Sequence, residues 1–155
     1  MHLIIPKLYI SSWNHLQESS IVQDNDEWFI INCTKNLPYL ISEHRCIRIP
    51  VDDDLTTTSL QDLLDSFSSV LEIINNKLEN NINVIVHCAA GQQRSPTVVC
   101  AYLMAYCNMS LAESILFIKD RKADAFFWKA NFLPCLETFA RQLNKDLNDL
   151  KINSI

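Results

Sequence analysis

The ten-residue segment HCAAGQQRSP contains the residue types best suited to chemistry in this chain. Its cysteine, Cys88, is followed six residues later by Arg94, and the chain's only glycine, Gly91, lies between them. A cysteine thiolate is a nucleophile, and an arginine side chain binds two oxygens of a phosphate-like anion at once. Ser95, directly after Arg94, can donate a hydrogen bond to the cysteine sulfur, which would help the sulfur to leave. This spacing therefore predicts a nucleophile and an anion site on one loop.

The segment lies between a predicted strand and a predicted helix. Residues 84–86 are β-branched and typical of a strand buried on both faces, whereas VVCAYLMAY is apolar all round and predicts a buried helix with Pro96 in its first turn. Backbone N–H groups at such a helix start bind phosphate-like dianions, and the same environment stabilises a thiolate. A glycine in mid-loop permits a backbone conformation that a β-carbon would obstruct. The predicted phosphate-binding residues, called the phosphate loop below, are Ala89, Ala90, Gly91, Gln92, Gln93 and Arg94. His87 is expected to orient this loop through hydrogen bonds.

Three adjacent carboxylates follow another predicted strand. Asp52, Asp53 and Asp54 come directly after residues 46–51 in the sequence, and Asp53 precedes Cys88 by 35 residues. A carboxyl group there could protonate a leaving oxygen and then accept a proton from the attacking water. The alternative is a solvated acidic turn that caps the next helix.

Apolar periodicity predicts the elements that position these groups. Strands alternate with helices and several helices follow at the end, which indicates a single α/β domain with a central, mostly parallel sheet flanked by helices. Ser59 and Asp62 resemble a capping box, as do Ser110 and Glu113. The predicted strands are a pair within residues 3–10 that turns near Pro6, then residues 28–33, 46–51 and 84–86. The predicted helices run from Ser59 to the polar stretch 75–83, from about Pro96, from Ser110 to about Asp120, and over residues 130–147.

Composition narrows the class of protein. The 155 residues are 48% hydrophobic and 20% charged with a net charge of −5, which excludes a disordered chain and disfavours binding along a nucleic-acid backbone. The sequence shows neither an apolar run of the roughly 18 residues that a membrane span needs nor a basic flank typical of a signal peptide. We therefore expect a soluble, cytoplasmic domain over residues 1–147 with a polar tail at 148–155. The histidines show no metal-ligand spacing, so no metal or other cofactor is expected.

The segment HCAAGQQRS resembles the H-C-x-x-G-x-x-R-[ST] loop of the cysteine-dependent protein phosphatases, and the following PTVVCAYLMAY resembles their dual-specificity branch. The resemblance extends from Leu8 to Leu136. It implies a protein-tyrosine-phosphatase-like fold and hydrolysis of phosphotyrosine and phosphoserine/threonine through a cysteinyl-phosphate intermediate. In this family the general acid lies three positions after the proline of an I-P-x-x-D pattern, which is Asp53 here. The expected binding partners are phosphorylated proteins, with phosphate, vanadate or sulfate bound in the loop.

Further roles follow from the resemblance, each beside a plainer alternative. Asn32 matches a family position that braces the phosphate loop, although it could equally be a turn residue. Arg121 resembles a family arginine that stabilises loop packing, although it could be a cation at a helix end. Cys33 or Cys100 could form a disulfide with Cys88 under oxidation, although ordinary buried cysteines are the more frequent case.

Two departures from the family pattern bear on substrate preference. Gln93 stands where many relatives have a small residue or asparagine, and Lys129 stands where the family often has an asparagine before the phenylalanine of its final helix. The same chemistry could act on a phosphoinositide or an RNA 5′-phosphate, although a neutral loop and an acidic chain disfavour polyanions. A catalytically silent phosphate-binding module is a further alternative, but such proteins usually lose the cysteine or the arginine.

Overall fold

In residues 1–20 and 27–152, which the computed structural model describes, five strands form one sheet. Its central strand is β5 (Asn83–Cys88), which pairs in parallel with β2 (Leu8–Ser12) and β3 (Trp28–Asn32). The edges are β1 (His2–Ile5), antiparallel to β2, and β4 (Cys46–Arg48), parallel to β3. The predicted mostly parallel sheet is therefore confirmed, with β4 ending three residues earlier than expected.

Both faces of the central strand are covered, as its β-branched sequence requires. Val84 and Val86 pack into the main core, whereas Ile85 belongs to a second cluster with Ile30 and with Leu16. Leu16 is the buried residue of α1 (Trp13–Glu18), a short helix that the sequence pattern did not predict. A single buried apolar residue gives no helical periodicity, so this element carries no sequence signal.

The remaining helices are α2 (Thr57–Glu79), α3 (Arg94–Tyr106), α4 (Leu111–Arg121) and α5 (Leu133–Ile152). Helix α2 corrects two predictions, because it continues through part of the polar stretch expected to end it and begins earlier than Ser59. Its N-cap is Thr56, whose hydroxyl accepts a hydrogen bond from the Ser59 backbone. Helix α5 includes residues 148–152 of the predicted tail, while 153–155 lie outside the described residues. Within the described ranges, no helix is both long and apolar enough to cross a bilayer.

The sheet register brings the carboxyl ends of four parallel strands to one edge. Ser12 pairs with Cys88, Asn32 pairs with His87, and Asn32 also pairs with Arg48 on its other side. Ligands of open α/β sheets bind at this edge, because the loops that follow the strands converge there. The loop after β5, which contains Gly91, is consequently surrounded by the segments that follow β2, β3 and β4.

The capping box predicted at Ser110 is confirmed and gives a stability test. The Ser110 hydroxyl accepts from the Glu113 backbone while the Glu113 carboxylate accepts from the Ser110 backbone N–H. Ser110→Ala should therefore lower the free energy of unfolding by about 1 kcal/mol in urea titrations. Ser69→Ala, on the exposed face of α2, is the matched control and should stay within about 0.5 kcal/mol of the parent. Equal losses in the two variants would contradict the capping contribution.

Candidate active site

Cys88 and Ser95 meet where β5 gives way to α3. Cys88 is the last residue of β5 and only 2% exposed, and Ser95 is the second residue of α3 and fully buried. The Cys88 Sγ and Ser95 Oγ atoms are 3.3 Å apart, within hydrogen-bonding distance for sulfur. The start of α3 therefore places the Ser95 hydroxyl within hydrogen-bonding distance of the sulfur, and a helix N-terminus carries partial positive charge.

Gly91 lets the loop between them pack against β2. Its φ angle is +71°, and a β-carbon at this position would lie 2.8 Å from the Ser11 carbonyl oxygen. The Trp13 backbone N–H also donates to the Ala89 carbonyl at 3.2 Å. Because the contact involves backbone atoms on both sides, a side chain at position 91 could be accommodated only by moving the loop or the strand.

Arg94 has a buried donor that is suited to an anion. Its Nη1 atom donates to the Val51 carbonyl at 2.9 Å, which fixes the guanidinium plane. Its Nε atom is buried and has no hydrogen-bond partner among the described residues. An unpaired buried N–H of a cation is costly, and an oxygen of a bound phosphate group would satisfy it.

A small cavity of about 180 Å³ opens beside Arg94. Ala89 and Arg94 form its floor from the phosphate loop, and the turn after β3 forms its wall. The lining residues are Thr34, Lys35, Asn36, Leu37, Asp52, Ala89 and Arg94. The cavity therefore lies between the Arg94 side chain and the turn after β3.

Asn32 shapes this wall. Its Oδ1 atom accepts from the Thr34 backbone N–H at 3.0 Å and from the Thr34 hydroxyl at 2.7 Å, while its Nδ2 atom donates to the Leu37 carbonyl at 3.0 Å. Arg48 donates to the carbonyls of Thr34 and Leu37 as well. The side-chain bonds of Asn32 therefore fit its turn alternative, and they support the pocket wall opposite the loop it was expected to brace.

The three carboxylates after β4 are in three different environments. Asp52 forms an ion pair with Lys35 at 2.6 Å, and both side chains are nearly half exposed. Hydrogen bonds from the Ser59 hydroxyl and from Thr56 lower the pKa of Asp54. Asp54 thus serves the turn before α2, which is the capping role considered for this acidic segment.

Asp53 points elsewhere, toward the segment before α5. Its Oδ1 atom accepts a hydrogen bond of 2.9 Å from the Asn131 side chain. The segment that carries it is also held at Val51 by Arg94. Asp53 is thus linked to the phosphate loop through Asn131 and through Val51, whereas Asp52 pairs with Lys35 and Asp54 bonds within its own turn.

His87 is buried beneath the loop as a neutral imidazole. Burial lowers its pKa from 6.5 to about 4, an effect larger than the opposing hydrogen bond with the Cys88 carbonyl. Its own carbonyl accepts from the Cys33 backbone at 2.8 Å. His87 therefore carries no charge at neutral pH, and its role in orienting the loop remains a prediction.

Cys33 and Cys100 are buried in the main core. Burial and the nearby Cys88 sulfur raise the pKa of Cys33 well above its usual range, and burial raises the pKa of Cys100 to about 12. Both are therefore protonated thiols at neutral pH. All six cysteines are free in the structure, and the disulfide with Cys88 remains a prediction for oxidising conditions.

Two side chains near the site, those of Gln93 and Asn131, form contacts that the sequence did not predict, although Gln93 was expected to bind phosphate. The Gln93 amide donates to the carbonyls of Phe127 and Lys129 at 3.2 and 3.0 Å and accepts from the Asn131 backbone at 2.9 Å. The sequence marked Gln93 as a departure without showing its partners, and it gave no signal for Asn131. Arg121, in contrast, bonds and stacks on Phe117 of its own helix, which fits its helix-end alternative.

The fold and the loop are those of a known family. Residues 8–142 match the family model described as "Dual specificity phosphatase, catalytic domain". This match covers most of the chain, so the chain belongs to the dual specificity phosphatase family.

Individual relatives agree with this assignment. Mouse dual specificity protein phosphatase 8 is 31% identical over 142 residues, covering 90% of this chain and 21% of the relative. Human dual specificity protein phosphatase 6 is 31% identical over 143 residues, covering 90% of this chain and 36% of the relative. The chain thus spans only about a fifth to a third of the length of these relatives.

Solved structures share the fold. Human DUSP28 superimposes with a TM-score of 0.81 at 20% identity, over 94% of this chain and 99% of that one. Human tyrosine phosphatase-like serine/threonine/tyrosine-interacting protein gives a TM-score of 0.70 at 21% identity, over 90% and 94% of the two chains. The predicted phosphatase-like α/β architecture is therefore confirmed.

The neutral state of His87 predicts how stability depends on pH. The unfolded chain binds a proton at this histidine near pH 6.5, but the folded chain does so only near pH 4. The unfolded state therefore binds more protons in this window, and the free energy of unfolding must fall as the pH drops from 6.5 to 4. His87→Gln should flatten this part of the pH dependence in urea titrations. The same slope in His87→Gln as in the exposed control His15→Gln would contradict the assignment.

Proposed function

We propose that this chain is a protein phosphatase that hydrolyses phosphotyrosine and phosphoserine/threonine through a cysteinyl-phosphate intermediate. The observation that carries the proposal is the pairing of two groups on one loop. The Cys88 sulfur lies at the end of β5 within reach of the Ser95 hydroxyl, and the Arg94 Nε atom on the same loop is a buried donor with no partner among the described residues. A nucleophile next to an unsatisfied cationic donor is the arrangement that phosphoryl transfer requires.

In the first step the Cys88 thiolate attacks the phosphorus atom of the substrate. An S–P bond forms as the P–O bond to the tyrosine, serine or threonine oxygen breaks. The amides of the loop and the Arg94 guanidinium hold the three remaining phosphoryl oxygens, whose negative charge must be stabilised in the transition state. Asp53, protonated at this stage, gives its proton to the leaving oxygen, so that a neutral hydroxyl group departs.

In the second step water attacks the phosphorus of the cysteinyl phosphate. The Asp53 carboxylate accepts a proton from this water, an O–P bond forms, and the S–P bond breaks. The sulfur leaves as a thiolate, stabilised by a hydrogen bond from the Ser95 hydroxyl, for which the 3.3 Å separation is suitable. Inorganic phosphate is released, and Cys88 and Asp53 return to their starting states.

The loop lining favours phosphoproteins as substrates. Ala89, Ala90, Gln92 and Gln93 carry no charge, whereas a substrate with several phosphates, such as a phosphoinositide or RNA, would be held by additional cations. The cation in the cavity wall, Lys35, is already paired with Asp52. Family membership supports action on phosphotyrosine and phosphoserine/threonine alike.

We also propose a cytoplasmic location, because a reducing compartment keeps thiols free.

Cys88→Ser tests the nucleophile. The parent protein should hydrolyse para-nitrophenyl phosphate in the presence of a chelator and be inhibited by vanadate, which occupies the phosphate loop. Cys88→Ser should lose all measurable turnover because a serine hydroxyl at this site lacks the nucleophilicity of a thiolate. Cys107→Ser, a partly exposed cysteine at the end of α3, is the matched control and should keep parental turnover.

Three results would reject the proposal. Turnover that survives in Cys88→Ser would exclude the cysteine mechanism. Binding of phosphopeptides by the parent without turnover would indicate a silent phosphate-binding module. Turnover of a phosphoinositide or an RNA 5′-phosphate, with none on phosphopeptides, would show that the substrate is not a phosphoprotein.

Asp53→Asn tests the general acid. With a phosphothreonine peptide, whose alkoxide leaves poorly, kcat should fall by about 10²-fold or more, because general-acid catalysis contributes this much. Asp52→Asn and Asp54→Asn are matched controls, since these carboxylates bond to Lys35 and to Thr56. A larger loss of kcat in either control than in Asp53→Asn would transfer the acid role to that residue.

A further inference from the structure

Asp53 is held by a residue from a distant part of the chain. Asn131 lies 78 positions after Asp53 and donates its side-chain amide to the Asp53 Oδ1 atom at 2.9 Å. We propose that Asn131, itself fixed to the phosphate loop by Gln93, is the positioning residue for the general acid. The inference rests on the proposed function, because it presumes that Asp53 is the acid.

Gln93 anchors the segment that carries Asn131. The Gln93 side chain is buried, and it makes three hydrogen bonds to backbone groups of Phe127, Lys129 and Asn131. Both ends of its amide are used, so the orientation of this side chain is fixed. A neighbouring bond, from the Phe126 backbone N–H to the Gln92 carbonyl at 2.7 Å, joins the same two segments.

The backbone of the anchored segment is strained. Phe126 and Trp128 have φ angles of +57° and +66°, in the left-handed region that bulky side chains disfavour. Such conformations persist where surrounding contacts determine them. The bonds from Gln92 and Gln93 supply these contacts, so the position of residues 126–131 depends on the phosphate loop.

Asn131 connects the anchored segment to the Asp53 carboxylate. Its backbone N–H donates to Gln93, and its side-chain N–H donates to Asp53, so one residue spans from the loop to the carboxylate. The Arg94 bond to Val51 holds the same acidic segment two residues earlier. Asp53 is therefore fixed relative to Cys88 through two separate side chains, both of which start from adjacent positions of the loop.

The bond also selects which oxygen carries the proton. In a protonated carboxyl group the carbonyl oxygen is a better acceptor than the hydroxyl oxygen, so the amide N–H of Asn131 favours the form in which the Asp53 Oδ1 atom is unprotonated. The acidic proton then resides on Oδ2, which remains for the leaving group. Without the amide, the carboxyl group can rotate and present either oxygen, and fewer of its orientations are productive.

The test compares two leaving groups in Asn131→Ala. With a phosphothreonine peptide, kcat should fall about tenfold, the factor that one lost hydrogen bond is worth. With an aryl phosphate whose phenol is strongly acidic, the leaving oxygen needs no proton, so kcat should stay within about twofold. A merely structural role would lower both rates equally. Asn131→Leu removes the amide at similar volume as a second variant, and Asn76→Ala, on the exposed surface of α2, is the matched control.

Combination with Asp53→Asn completes the test. If Asn131 acts through Asp53, Asn131→Ala in the Asp53→Asn background should cause no further loss on the phosphothreonine peptide. Additive losses, or equal losses on both leaving groups in both Asn131 variants, would overturn the inference. If Asp53→Asn itself shows no dependence on the leaving group, the acid assignment in the proposed function has failed instead. If Asp53→Asn lowers kcat only on the phosphothreonine peptide while the Asn131 variants lower kcat equally on both substrates, only the positioning role of Asn131 is rejected.

Discussion

The hydrogen bond from Arg94 to the Val51 carbonyl is the contact on which the site depends, because it joins two loops with different tasks. One edge of the guanidinium is used in this bond, so the plane of the group is set before any substrate binds. The buried Nε atom has no partner in the part of the chain that the structure describes, and an oxygen of a bound anion would satisfy it. The same bond places the acidic segment beside the phosphate loop. One side chain thus connects the loop proposed to bind the anion with the segment proposed to transfer the proton.

The parallel sheet supplies the frame for this contact. The register of β5 with β2 and β3 brings Ser12, Cys88 and Asn32 to one edge, although they come from distant parts of the sequence. The end of β2 contacts Gly91, the end of β5 carries the proposed nucleophile Cys88, and the turn after β3 forms the pocket wall. The wall is stabilised within itself by Asn32 and Arg48, so it does not depend on the phosphate loop for its shape.

Local patterns in the sequence were sufficient for the loop and for most of the sheet, since strand, glycine, arginine and helix start are adjacent in the chain. The capping of α2 was predicted wrongly, because Asp54 and Thr56 form hydrogen bonds that move the helix start before Ser59. The contact between Asp53 and Asn131 was beyond prediction, since it depends on how the chain closes over 78 residues. Buried apolar residues recur at regular spacing along a helix and can be predicted from that spacing, whereas a single polar contact has no periodicity in the sequence.

The scarcity of glycine has a consequence for the unfolded chain. The single glycine is used at position 91, and the other left-handed residues of the described chain all carry side chains: Lys7, Leu55, Asn81, Asn108, Phe126 and Trp128. Glycine widens the range of conformations open to a denatured chain, so a sequence with one glycine has a narrower denatured ensemble and less backbone entropy to lose on folding. The side chains at left-handed positions strain the native state by roughly 1 kcal/mol each. Compared with a chain of average glycine content, this protein therefore loses less backbone entropy on folding and retains more strain in its native backbone.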